Sequence, residues 1–249
     1  MKILLIGAGN MGGAMLSGLD HYNVTVVEAY APRQEELRDL YPNVTILDTV
    51  PSLEGFVVIL AIKPQSLESL VCSGEAEAVI SILAGTALAK VRSAISARAY
   101  IRAMPNLAAL KRKSVTSVCG DAQFKEEALS ILSSIGKAIW LESEAQLDIA
   151  TGIGGSAPAW LALVAEALSD GAVNMGLPRD KSYEYVAALM DGMGALLEDE
   201  HPAIIKDKVT SPGGTTIAGL AVLEKGAVRD SFIEAVSACY LRTKTLSGG

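Results

Sequence analysis

The sequence predicts an α/β doubly wound sheet over residues 1–144 followed by an all-α region over residues 145–249. Three observations predict it. Short β-branched apolar runs alternate with amphipathic stretches in the first part, a glycine-rich turn follows the first run, and strand-like runs disappear beyond residue 144.

Residues 3–6, 24–27, 56–62 and 79–83 form runs of 4 to 7 residues that are apolar except for Thr25 and Ser81. Such runs suit parallel strands covered on both faces, because both side-chain sets must then be apolar. Helix-like stretches lie between them, as at residues 32–40, where Leu37 and Leu40 share one side. Further strands are expected at residues 100–101, 115–118 and 138–141, with a helix over residues 125–135. Alternation of this kind builds a doubly wound sheet. Beyond it, Gly152, Gly154 and Gly155 precede Ser156-Ala157-Pro158, a serine cap with a first-turn proline that predicts a helix start. Long helices are expected over residues 158–175, 179–198 and 228–246, with another opening at Ser211-Pro212.

Composition narrows the function. With 21 basic against 28 acidic residues the net charge is -7, a poor match for a phosphate backbone, so no nucleic-acid partner is expected. Half of the 249 residues are apolar, yet no uncharged stretch approaches the roughly 18 residues a membrane span needs. The most apolar segment, residues 157–165, ends at Glu166, so a surface buried against another subunit is expected instead of a membrane. His21 and His201 cannot build a metal site without further ligands, and Cys72, Cys119 and Cys239 never form a CxxC pair. No metal is expected, and the thiols suit a reducing compartment. The opening apolar run breaks at Gly7, short of the ~7–15 residues of a signal-peptide core, so a cytoplasmic location is expected.

Gly7-Ala8-Gly9-Asn10-Met11-Gly12 has the GxGxxG pattern between a strand and a helix, the Rossmann-like context for a dinucleotide. The first glycine permits the tight turn, the second admits the pyrophosphate to a backbone amide, and the third lets helix and strand pack closely. Glu28 ends the second strand, where an acid bonds an adenosine ribose hydroxyl and repels a 2′-phosphate. The cofactor is therefore NADPH or NADH, with Glu28 favouring NADH and Arg33 able to offset it. A solvated strand-end glutamate is the plainer reading of the same residue.

Three more segments sit at carboxyl ends of strands, where a doubly wound sheet binds ligands, or at helix starts. Ala61-Ile62-Lys63-Pro64 follows one strand, and its lysine either reaches the cofactor or is simply solvated. Arg102-Ala103-Met104-Pro105-Asn106 follows another, its Pro-Asn either shaping a nicotinamide pocket or making an ordinary turn. Ser211-Pro212-Gly213-Gly214-Thr215-Thr216 gathers hydroxyls and free amides at a helix N-terminus, which suits a carboxylate; cap chemistry alone needs neither two glycines nor two threonines.

Together with Asp207-Lys208-Val209-Thr210 before it and Leu223-Glu224 after, that run resembles the signature of the pyrroline-5-carboxylate reductase family. The resemblance extends from Lys2 to Leu246 and includes Glu200-His201-Pro202, which makes His201 structural. It implies hydride transfer from NAD(P)H to the imine of L-1-pyrroline-5-carboxylate, giving L-proline. It also implies that Ser211, Gly213, Gly214 and Thr215 bind the substrate carboxylate and that Thr216 bonds the ring nitrogen as the catalytic residue. Met104, Pro105 and Asn106 would line the nicotinamide, and Ala61, Lys63 and Pro64 its ribose side. The helical region would be a substrate-binding and dimerisation domain, in a homodimer or an oligomer of dimers. Leu107-Ala108-Ala109 departs from the family's usual Thr-Pro-Ala, and Gly154-Gly155-Ser156-Ala157 lacks one usual hydroxyl. Two other readings stay open: a β-hydroxyacid-type dehydrogenase, although its catalytic lysine is missing near residues 152–156, and an inactive nucleotide-binding regulator.

Overall fold

The computed structural model describes residues 1–246. One eight-stranded sheet runs in the order β3-β2-β1-β4-β5-β6-β7-β8. Its strands are β1 (Lys2–Ile6), β2 (Asn23–Val27), β3 (Thr45–Leu47), β4 (Phe56–Leu60), β5 (Ala78–Ser81), β6 (Tyr100–Met104), β7 (Ser114–Gly120) and β8 (Gly136–Trp140). All pairings are parallel except β6 with β7. The sheet changes direction of growth between β1 and β4, which places a crevice at their carboxyl ends.

The apolar runs are explained by burial on both faces. Ile3 and Leu5 enter one core with Met15, Leu19 and Ile131, whereas Leu4 and Ile6 enter the other with Leu60, Leu83 and Val91. Period-two alternation thus feeds two cores instead of one core and solvent. The covering helices are α1 (Asn10–Leu16), α2 (Ala31–Leu40), α3 (Leu88–Ala94) and α4 (Lys125–Ser133).

Beyond the sheet lie α5 (Glu144–Thr151), a π turn (Gly152–Ser156), α6 (Ala157–Asn174), α7 (Arg179–Asp199), α8 (Pro202–Lys208), α9 (Thr215–Lys225) and α10 (Val228–Leu246). Three expectations need correction. Ser156 caps nothing, because helical structure continues from α5 through the π turn into α6. The helix expected at Ser211-Pro212 starts at Thr215, since Gly213 takes a left-handed φ of 66° that a helix does not admit. Helix α8 was absent from the sequence reading; His201 caps it, its Nδ1 accepting the Ala203 N–H at 3.3 Å.

Compact units divide the chain later than residue 144. Met1–Ser156 and the segment from Ala238 form one, and Ala157–Ser237 the other. The shift arises because α5 and the π turn pack on β6 and β7. The helical run Glu144–Asn174, which carries four acidic residues, is also long and apolar enough, by length and composition, to cross a membrane. In the helical unit α6 buries only Ser169, and α9 buries no residue at all. Leu163 is 66% exposed and Val222 70%.

Candidate active site

The turn after β1 is set by close approach. Gly7 has φ +90°, and a Cβ there would lie 2.8 Å from the Ala61 carbonyl oxygen. At Gly12 a Cβ would lie 2.2 Å from the Gly7 oxygen. Both glycines are therefore demanded by the fold itself. Gly9 is different: a Cβ would meet nothing within 4 Å, and as the N-cap of α1 it offers no side chain to the first-turn amides. Open space before uncapped amides is the cradle a pyrophosphate requires, so these residues fit a dinucleotide. Asn10 and Met11 begin the helix beside it.

Both ends of the Ala8 residue are held by side chains. Its N–H donates to Glu28 Oε2 at 2.9 Å, and its carbonyl accepts from Arg33 Nε at 2.8 Å. Glu28 Oε1 also accepts the Tyr30 N–H at 2.9 Å. Glu28 thus stands against the glycine loop, where sequence spacing put it, and Arg33 stands beside it, ion-paired to Glu36 at 2.6 Å.

Across the switch point, Ala61 donates its N–H to Ile6 at 2.8 Å, which locks the β4 end to the β1 end. Lys63 precedes the short 3-10 turn Pro64–Ser66, its carbonyl accepting the Ser66 N–H at 2.9 Å, and its exposed side chain forms no hydrogen bond or ion pair among the described residues. A cleft of ~890 Å³ opens at the ends of β4, β5 and β6, with Pro64, Ala84, Gly85, Thr86, Met104 and Thr151 in its wall. Sequence reasoning did not single out the loop after β5, although Ala84-Gly85 after an apolar run was the available signal.

Asn106 is buried and both ends of its amide group are bonded. Its Nδ2 donates to the Gly154 carbonyl at 2.8 Å and its Oδ1 accepts the Ala108 N–H at 3.1 Å. The side chain therefore ties the Met104-Pro105 turn to the π turn, a role no local pattern announces.

In the helical unit, Ser211, Pro212, Gly213 and Gly214 form the turn before α9. The Gly214 N–H closes it on the Ser211 carbonyl at 3.1 Å. Gly214 caps α9 without a side chain, so the amides of the first turn, including Thr215 and Thr216, have no side-chain partner there. The hydroxyls of Ser211, Thr215 and Thr216 likewise make no hydrogen bond among the described residues. This turn displays donors for an anion. No group of three or more metal-binding side chains occurs among the described residues.

Residues 144–246 match the family model for pyrroline-5-carboxylate reductase dimerisation, and residues 2–85 that for NADP oxidoreductase, coenzyme F420-dependent. A pyrroline-5-carboxylate reductase of Synechocystis is 38% identical, over 99% of this chain and 98% of its own. The chain belongs to the pyrroline-5-carboxylate reductase family. Its fold agrees with that of the family member from Coxiella burnetii, at a TM-score of 0.88, 28% identity and 98% coverage of both chains. The Plasmodium falciparum reductase, solved with NADP bound, shares the fold at a TM-score of 0.79 and 24% identity, over 99% of this chain and 98% of that one. Family membership explains why the glycine loop and the hydroxyl-rich turn occur on one chain.

Proposed function

We propose that this chain reduces L-1-pyrroline-5-carboxylate to L-proline with NADH or NADPH, the final step of proline biosynthesis. The observation that carries the reading is the end-to-end match to a reductase of that name at 38% identity. Residues 1–144 serve as the dinucleotide-binding domain, and residues 145–249 as the substrate-binding and dimerisation domain. The apolar surfaces of α6 and α9 support a homodimer, or a larger oligomer built of dimers, since helices that bury almost nothing alone need a partner. A cytoplasmic location accords with this role.

Gly7 to Gly12 hold the pyrophosphate, with Gly9 giving it room. Ala61, Lys63 and Pro64 border the nicotinamide ribose, and Met104 with Pro105 forms the wall against the ring. Glu28 is placed to accept ribose hydroxyls while remaining bonded to Ala8. The substrate carboxylate is held at the turn of Ser211, Gly213 and Gly214, by the Ser211 hydroxyl and the first-turn amides of Thr215 and Thr216.

NAD(P)H, when bound, supplies a hydride to C5 of the ring. Everything else is positioning. A protonated cyclic imine is already electrophilic and already carries its nitrogen proton, so the chain needs no strong acid. Thr216 accepts that N–H and aims the ring, and the Ser211 turn fixes the opposite end. Holding two reactants in attack geometry lowers a barrier by about 7–11 kcal/mol when alignment is good.

The test is oxidation of NADH and of NADPH by the purified protein with pyrroline-5-carboxylate, followed by absorbance. Proline formation with either cofactor supports the reading; no turnover with both refutes it.

A further inference from the structure

Arg102 sits on β6 two residues before Met104, hence on the same face of the strand, and both reach the cleft. Its side chain is only 5% exposed. Nη1 donates to Glu144 Oε1 at 3.2 Å and Nη2 to Asp148 Oδ1 at 2.7 Å. Glu144 and Asp148 stand one turn apart on α5, so a single guanidinium grips one face of that helix.

Glu144 has a second duty. The same Oε1 accepts the Leu88 N–H at 2.9 Å, the first residue of α3, whose N-cap Ala87 brings no side-chain acceptor. The glutamate thus caps α3 from 56 residues away and pins the preceding loop, which carries Ala84, Gly85 and Thr86 into the cleft wall. Arg102 therefore connects three wall segments: the β6 end with Met104, the loop after β5, and α5 with Thr151.

Stability alone does not account for this arrangement. The guanidinium is buried and Asp148 nearly so, whereas Glu144 keeps 35% exposure, and apolar replacements of buried ion pairs are often as stable or more so. A fork with fixed geometry is, in contrast, a good device for holding distances.

We propose that Arg102 is a positioning residue of the reduction. Through Glu144 and Asp148 it sets the separation between Met104 and the Ala84 to Thr86 loop, and so the width of the cleft that receives the nicotinamide and the imine. The proposal rests on the reductase reading of that cleft.

Arg102→Lys, Glu144→Gln and Asp148→Asn are compared with the parent protein for melting temperature, NAD(P)H affinity by fluorescence, kcat and KM for the imine, and Leu88 amide exchange. Lysine keeps the charge and loses the fork. Arg102→Lys is expected to lower kcat on the order of 10–100-fold, the loss typical of sub-ångström to ångström misplacement. Cofactor affinity and melting temperature should stay near parental, and Leu88 exchange should accelerate. Parental kcat in Arg102→Lys, counted per folded molecule, overturns the proposal.

Should Arg102→Lys not fold, Asp148→Asn and Glu144→Gln carry the test, each lowering kcat more than it raises KM. Parental kcat in both overturns the proposal. If the parent itself fails to reduce the imine with either cofactor, the reductase reading falls. Leu88 exchange then decides the tie separately: acceleration in Arg102→Lys sustains it and parental exchange overturns it.

Discussion

The Glu28 carboxylate accepts the N–H of Ala8 at 2.9 Å, twenty residues earlier in the chain, and so sits directly against the glycine loop. Arg33 grips the carbonyl of that same residue. One negative and one positive group thus flank the place expected for the adenosine ribose. Glu28→Gln removes the charge and keeps one acceptor oxygen for the Ala8 N–H, while the Tyr30 N–H loses its carboxylate partner. Relief of repulsion on a 2′-phosphate should shift the NADPH-to-NADH ratio of kcat/KM upward by on the order of ten-fold. Parallel saturation curves with the two cofactors measure it; an unchanged ratio removes Glu28 from cofactor choice.

The glycines of the loop should separate by role. Gly12→Ala drives a Cβ to 2.2 Å from a backbone oxygen, so it should cost stability by about 1–3 kcal/mol or more and lower the melting temperature. Gly9→Ala adds a Cβ to open space and should melt normally. Its NAD(P)H affinity should nevertheless fall about ten-fold or more, since the methyl stands where the phosphates approach. Thermal melts and cofactor titrations of the two variants decide it, and equal behaviour in both assays contradicts the division.

These two predictions draw on features the sequence displayed, and their legibility has a physical basis. Strands β1, β4 and β5 are nearly continuous apolar runs because both faces are covered, and GxGxxG reports a local steric demand at Gly7 and Gly12. Ser211 to Thr216 were visible because donors of that density exceed what capping needs. The antiparallel entry of β7, the π turn and the clasp of Asn106 on Gly154 depend on partners distant in sequence, 48 residues apart in the last case. The Arg102 fork was equally silent, its carboxylates lying 42 and 46 residues onward. The late start of α9 was misread because Ser-Pro is a good local cap, whereas the left-handed Gly213 outweighs it.

Cys119 tests the same buried neighbourhood by pH. Burial, and then the nearby Glu144 charge, push its thiol from the ordinary 9.0 to about 11, with Arg102 opposing. A group whose folded pKa is raised contributes stability that is complete below pH 9 and is lost as pH rises through about 11. Cys119→Ala should therefore show a shallower fall of melting temperature across that window than the parent. In the native parent at pH 8, thiol reagents should label Cys239 well before Cys119, because only the thiolate attacks and Cys119 is buried. A melting curve with equal pH slopes in both proteins counts against the shifted thiol.

Thr216 offers the sharpest separation of binding from chemistry. It lies in the uncapped first turn of α9, with a hydroxyl that has no protein partner among the described residues. If it aims the ring nitrogen, its hydrogen bond matters most where hydride arrives, so its loss should appear in kcat more than in cofactor binding. Thr216→Ala should lower kcat by on the order of ten- to a hundred-fold, the range of one misaligned reactant. NAD(P)H affinity should stay within about two-fold, since the glycine loop belongs to the other compact unit. Thr216→Ser, which retains the hydroxyl, should recover most of the rate. Ser211→Ala should instead raise KM for the imine with a smaller change in kcat, as expected when a carboxylate contact is equal in ground and transition states. Steady-state kinetics of the three variants measure the split, and a Thr216→Ala enzyme with parental kcat would return the catalytic role to the Ser211 turn as a whole.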